Sequence, residues 1–122
     1  MKRITSNLKQ FDPSSVAFIQ ELVWNESGVF LKVYCQSRKS NATWPDLKNE
    51  FEIVHLQFIQ VSSLNFISNS MGLHQITGFD IIDLSSDQLE SINYKVIDYE
   101  NGSLEFSCKE IEYEKIGLKI SL

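Results

Sequence analysis

Residues 98–116 read DYENGSLEFSCKEIEYEKI, and the architecture turns on how this stretch folds. Asn101-Gly102 is a strong short hairpin signal, because a type I′ turn needs positive φ at both central residues and Asn and Gly tolerate it. Strands over 92–99 and 103–113 are therefore expected to pair antiparallel. Along the second of these, Leu104, Phe106 and Cys108 share one face, and the apolar phase then slips to Ile111 and Tyr113. One extra residue near Lys109 and Glu110, a β-bulge, would keep both sets on the core face. The five glutamates of the stretch then have addresses: Glu100 at the turn, Glu110 at the bulge, and Glu105, Glu112 and Glu114 on the wet side of the strand. Like charges this close repel modestly, so the arrangement calls for cross-strand lysines, Lys95 or Lys109, or for a basic partner. A solvated face, a protein-binding face and a cation site are the three readings open at this point.

Further strands lie on both sides of this hairpin. VAFIQELVW (16–24) and VFLKVYCQ (29–36), joined by the Gly-containing turn NESG, form a hairpin in which Leu31, Val33 and Cys35 face inward and Phe30, Lys32 and Tyr34 outward. FEIVHLQFIQV (51–61) carries apolar residues on both sides and reads as a central strand, which SSLNF (62–66) extends or bends. ITGFDIIDL (76–84) follows, with Gly78 marking a bulge or a close backbone approach. IGLKISL (116–122) is a candidate edge strand with Lys119 as gatekeeper, and an edge of this kind could pair in a homodimer. Between the hairpin and the central strand, SRKSNATWPDLKNE (37–50) is a long polar loop. Its Trp44 is placed against an end of the sheet, with an exposed partner contact as the alternative.

Short runs separated by turn signals predict an all-β, mainly antiparallel fold. Six to seven strands are expected in a twisted sandwich or partly open barrel, forming a single β-rich domain over 1–122 with room for one short helix in 44–50 or 85–91. A chain of 122 residues with 43% apolar content is large enough to fill one such core. It holds 16 acidic against 11 basic residues, a formal net charge of −5, which opposes nucleic-acid binding and suits either plain solubility or a basic partner. The opening MKRITSNLKQFD lacks the apolar stretch of a signal peptide, and no run of about 18 apolar residues follows. A cytoplasmic protein that does not engage the membrane is the expectation. Cys35 and Cys108 sit in strand patterns and are expected to be buried free thiols.

No catalytic pattern emerges. Trp44-Pro45-Asp46 matches the mobile acid loop of tyrosine phosphatases, but such enzymes need Cys followed six positions later by Arg; Asn41 stands there after Cys35 and Glu114 after Cys108. His55 and His74, 19 residues apart, show no metal-ligand spacing, and no serine lies in a nucleophile elbow. No phosphate-binding glycine loop is present either, so neither an enzyme nor a cofactor is expected. Phe51, Phe58, Phe66 and Phe79 either fill the core or line a pocket for a small apolar ligand, the competing function.

The run ITGFDIIDLSSDQLESINYKVIDYENGSLEFSCKEIEY (76–113), together with SLNF (63–66), resembles the C-terminal half of small bacterial β-proteins grouped with the immunity proteins of polymorphic and contact-dependent toxin systems. The resemblance implies a non-enzymatic cytoplasmic protein that binds and blocks one toxin domain. An acidic surface suits a basic toxin. The anchors would then be aromatic, Trp44, Tyr99 or Tyr113, with Glu105, Glu112 and Glu114 as charged contacts.

Overall fold

Period-two alternation of apolar and polar side chains produces ten strands in the computed structural model, which describes residues 2–4, 11–38, 43–68, 72–87, 90 and 92–122. They are β1 (Lys2–Ile4), β2 (Val16–Asn25), β3 (Gly28–Cys35), β4 (Phe51–Ile59), β5 (Ser62–Phe66), β6 (His74–Gln75), β7 (Phe79–Asp83), β8 (Tyr94–Asp98), β9 (Leu104–Cys108) and β10 (Glu110–Ile120). All pairings are antiparallel. The first sheet runs β1-β7-β8-β9-β5 and the second β10-β4-β3-β2-β6. The two sheets pack face to face as a sandwich and do not close into a barrel. The strand count exceeds the expected six to seven because short partners, β1 and β6, join the edges and because the run 51–66 is divided between the sheets; the division of 103–113 adds none, since its second part continues into the expected final strand as β10. Where a short helix had room, Ser85–Asp87 forms a single 3-10 turn and residues 47–49 a turn; positions 88, 89 and 91 lie outside the described residues.

The division explains the slipped apolar phase after Cys108. The expected strand over 103–113 is in fact two strands in different sheets. The Cys108 carbonyl still accepts from Asn93 N–H of the first sheet (3.0 Å), whereas the next amide, Lys109 N–H, donates to Ile59 O of the second (2.9 Å). The neighbouring run makes the same passage: β4 ends at Ile59, Gln60 takes a positive φ, and Ser62 pairs with Ser107 in the first sheet. Residues 51–66 and 104–120 thus form two bent, mutually paired runs that serve both sheets, a known way of making a sandwich corner.

The hairpin signal at Asn101-Gly102 identifies the β8–β9 pairing correctly but not the turn. Only Gly102 has positive φ, and its N–H reaches back to Asp98 O at 3.0 Å, so the turn is wider than the two-residue type I′. Asp98 sets this geometry. Its carboxylate accepts from the N–H groups of Glu100, Asn101 and Ser103 and from Ser103 Oγ at 2.6–3.2 Å, gathering amides that a tighter turn would leave to water. Gly78 lies against the same turn. A Cβ there would come 2.6 Å from Glu100 N, which is the close approach its sequence position suggested.

The interior between the sheets is built from alternate residues of each: Leu31, Val33, Val54, Leu56 and Phe58 from the second, Phe79, Ile81, Val96, Leu104 and Phe106 from the first. Phe58 and Phe106 meet edge to face across the interface, with centroids 4.9 Å apart. Cys35 and Cys108 are buried free thiols. None of the helices among the described residues is long and apolar enough to cross a membrane.

Candidate protein-binding face

Because Val54, Leu56 and Phe58 point into the core, the intervening Ile53, His55, Gln57 and Ile59 of β4 point to the outer face of the second sheet. The same alternation on β10 buries Ile111 and Tyr113 partly and turns Glu110, Glu112 and Glu114 outward. Register then sets the rows. Glu112, Gln57, Phe30 and Val23 lie side by side across four strands, and the next row holds Glu114, His55, Lys32 and Glu21. Phe30 is half-buried and meets the His55 ring edge to face at 5.1 Å, while Val23 is 39% exposed. No lysine or arginine among the described residues lies within ion-pair distance of Glu110, Glu112 or Glu114. The open part of this face is therefore an apolar and aromatic centre with uncompensated carboxylates along one side.

The other end of the same face is closed. Ala17, Phe18, Tyr34 and Phe51 form a second buried cluster, covered by Trp44, Leu73, Ile53 and Ile120. Trp44 is fixed there: its indole N–H donates to Gln36 O at 2.8 Å, and the Arg38 guanidinium stands 3.7 Å above its ring. Gln36 clamps Asp46, donating from Nε2 to its carbonyl at 3.0 Å and accepting its N–H at 2.7 Å. Beside this loop runs an open groove of about 660 Å³ lined by Trp44, Asp46, Lys48, Glu50, Glu52 and Lys119. Its charges are of both signs, and its walls are shared between the loop and strands β4 and β10.

A serine, a histidine and an aspartate do meet, in an order that does not make a nucleophile. Ser103 Oγ sits between the other two, 2.6 Å from Asp98 Oδ2 and 3.0 Å from His74 Nε2. With the hydroxyl proton given to the carboxylate, the His74 ring is the donor to Ser103, whereas a catalytic triad needs the histidine in the middle as base. Burial holds the His74 imidazole below its ordinary value against the opposing charge of Asp98. For Asp98, burial works upward but is outweighed by the hydrogen bonds from Ser103, Asn101 and Glu100, which leave the carboxyl below its ordinary value. The chain ties β6 of one sheet to the β8–β9 turn of the other.

The site residues expected from sequence are distributed unevenly. Glu112 and Glu114 share the open face. Glu105 does not: it lies on the outer face of the first sheet, 3.5 Å from Lys95. Tyr113 points inward between the two glutamates and stacks at a tilt on Phe11, with centroids 5.7 Å apart. Trp44 belongs to the closed end, and Tyr99, 51% exposed, stands on the β8–β9 turn of the other sheet. Missed by sequence reasoning were Phe30, His55, Val23 and Glu21. The alternation of β3 had marked Phe30 as outward, but the pairing that sets it beside Gln57 and Glu112 was not legible. Phe51, Phe58, Phe66 and Phe79 do not line one cavity; Phe58 and Phe79 fill the inter-sheet core, Phe51 the second cluster, and Phe66 packs half-buried against His74. Among the described residues no group of three or more His, Cys, Asp or Glu side chains could hold a metal ion.

The family model described as immunity protein PIM8 matches residues 2–114. The chain belongs to this family of immunity proteins. No curated protein and no solved structure gives a match. The matched span includes β2, β3, β4 and the part of β10 that carries Glu110, Glu112 and Glu114.

Proposed function

We propose that the chain is a non-enzymatic, cytoplasmic immunity protein that binds a basic toxin domain and blocks it through the open end of this outer face. The carrying observation is the set of uncompensated carboxylates, Glu110, Glu112 and Glu114, beside the Phe30–His55 pair in a member of an immunity-protein family. Opposite potentials speed encounter and discriminate against wrong partners, and a dry aromatic centre supplies the anchoring contact that rim charges do not. Of the charged contacts expected from sequence, Glu112 and Glu114 fit this face, while Glu105 is already engaged elsewhere. Tyr113 acts from beneath, by fixing the strand that presents the two glutamates.

The reading is tested in two linked steps. A basic protein captured with the tagged chain is expressed alone and then with the chain; it is expected to arrest growth only when alone. The double variant Glu112→Lys/Glu114→Lys is expected to lose both capture and rescue. Full rescue by that variant would remove the open face from the proposal, and a captured protein that is harmless alone would remove the toxin.

A further inference from the structure

Among the described residues, the second sheet has an edge without the usual protection. Among those residues, β2 pairs with β6 through Phe18 and Ile19. Past the bulge at Gln20 it runs regularly to Asn25, and no described strand covers that side. The other sheet edges are defended in recognisable ways. β10 carries Lys115 and Lys119 with a register break between them, where Gly117 takes a φ of +79°. β5 is short and irregular between Ser62 and Asn65, and β1 spans three residues. Residues 20–25 of β2 hold no lysine, arginine or proline. They present Val23 and a Trp24 that is 58% exposed.

A groove of about 260 Å³ follows this edge between Ile19 and Leu22 on one side and Phe66 and His74 on the other. The two faces of the free edge differ. Leu22 and Trp24 stand opposite the core-facing Leu31 and Val29, and so look toward the groove side; Glu21 and Val23 stand opposite Lys32 and Phe30 and belong to the outer face. A strand laid in line with β6 would need apolar side chains on the first side and basic ones on the second.

We propose that the toxin partner adds an extended segment of alternating apolar and basic residues to the β2 edge, packing on Leu22, Trp24 and Phe66 and placing its lysines or arginines beside Glu21. The proposal rests on the toxin-binding reading above and specifies its mode: backbone pairing at the edge, continuous with side-chain contact on the open face.

The test uses the intact, isotopically labelled chain and a capped ten-residue peptide of alternating lysine and valine. The outward-pointing amides between Gln20 and Asn25 are expected to exchange about tenfold more slowly with the peptide bound. A peptide of the same sequence N-methylated at alternate residues, which cannot donate to a sheet edge, is expected to have no such effect. Equal protection by both peptides, or protection confined to β10, would overturn strand addition. Perturbation of Glu112 and Glu114 without protection of β2 would also overturn it, while leaving the toxin-binding reading to the growth assay. Protection of β2 with a captured partner that proves harmless would support the edge and sink the toxin.

Discussion

The two ends of the second sheet's outer face are made by the same strands and treat their apolar side chains in opposite ways. At one end Phe18, Tyr34 and Phe51 are sealed beneath Trp44, which is itself held by Gln36 and Arg38. At the other, about two rows along, Phe30 and Val23 stay partly in water beside three uncompensated glutamates. That one end is covered and the other, among the described residues, is not separates the part of the face that holds the fold from the part available to a partner.

The sharpest way to break this comparison is to truncate one aromatic from each end. Phe51 is fully buried and packs edge to face on Phe18 at 5.6 Å, so Phe51→Ala is expected to destabilise by about 3–5 kcal/mol. Phe30→Ala, half-exposed on the open end, is expected to lose about 1 kcal/mol. Urea midpoints at constant m-value give both numbers; equal losses would mean that the open end is as structural as the closed one.

A smaller effect probes the cover. Trp44→Ala removes the indole donor to Gln36 and the surface on which Arg38 rests, and is expected to destabilise by about 2 kcal/mol. Cys35 lies at this end, lining the groove beside the loop, and burial pushes its thiol up to about 12 against the opposing hydrogen bond from Ser15. Labelling of Cys35 by a thiol reagent at neutral pH should therefore wait on opening of the structure, and Trp44→Ala should accelerate it more than Phe30→Ala does. The same acceleration from both would place the loop's influence on the whole sandwich rather than on one end.

A third effect is expected from pH, and it belongs to the seam between the sheets rather than to either end. His74 and Asp98 both have folded values below their ordinary ones, so the unfolded chain takes up protons first as pH falls. The His74 contribution is complete above the ordinary histidine value of 6.5 and is lost as pH drops through the lower folded value; the Asp98 contribution is lost further down, below 3.8. The urea midpoint should decline from pH 7 to pH 5, and the decline should shrink in His74→Gln. An unchanged slope in that variant would assign the titration to another group.

Sequence patterning carried the elements well and their assembly less well. Alternation located β2, β3, β4, β7 and β8 and told inward from outward residues on β3, because period two is a local property. The corner at Cys108 and Lys109 was visible as a phase slip, but a bulge within one sheet and a passage between two sheets produce the same slip. Only the partner of Lys109 N–H distinguishes them, and Ile59 is 50 residues away in the chain. That ambiguity put Glu105 beside Glu112 and Glu114 in the sequence reading; the passage between sheets sends them to opposite outer faces. The open face was equally hidden, since Phe30, His55 and Glu112 come from three strands whose order no local signal reports.

The smallest stability effect is expected where the largest functional one is proposed. Glu112 and Glu114 are exposed, point the same way along β10 and have no cation within ion-pair distance among the described residues, so their mutual repulsion opposes the folded state slightly. Glu112→Gln/Glu114→Gln should leave stability unchanged or raise it by about 0.5 kcal/mol or less, as is usual for substitutions away from buried contacts. A matching Glu105→Gln on the first sheet removes the partner of Lys95, an exposed pair whose contribution is about 0–1 kcal/mol. The two changes are thus nearly equal for folding and differ only in which outer face they alter. Partner affinity that falls in the β10 variant and holds in Glu105→Gln would tie the carboxylates of the open face to binding. A fall in Glu105→Gln about half that of the double variant, in proportion to one charge removed against two, would make net charge, and not the face, the quantity the partner senses.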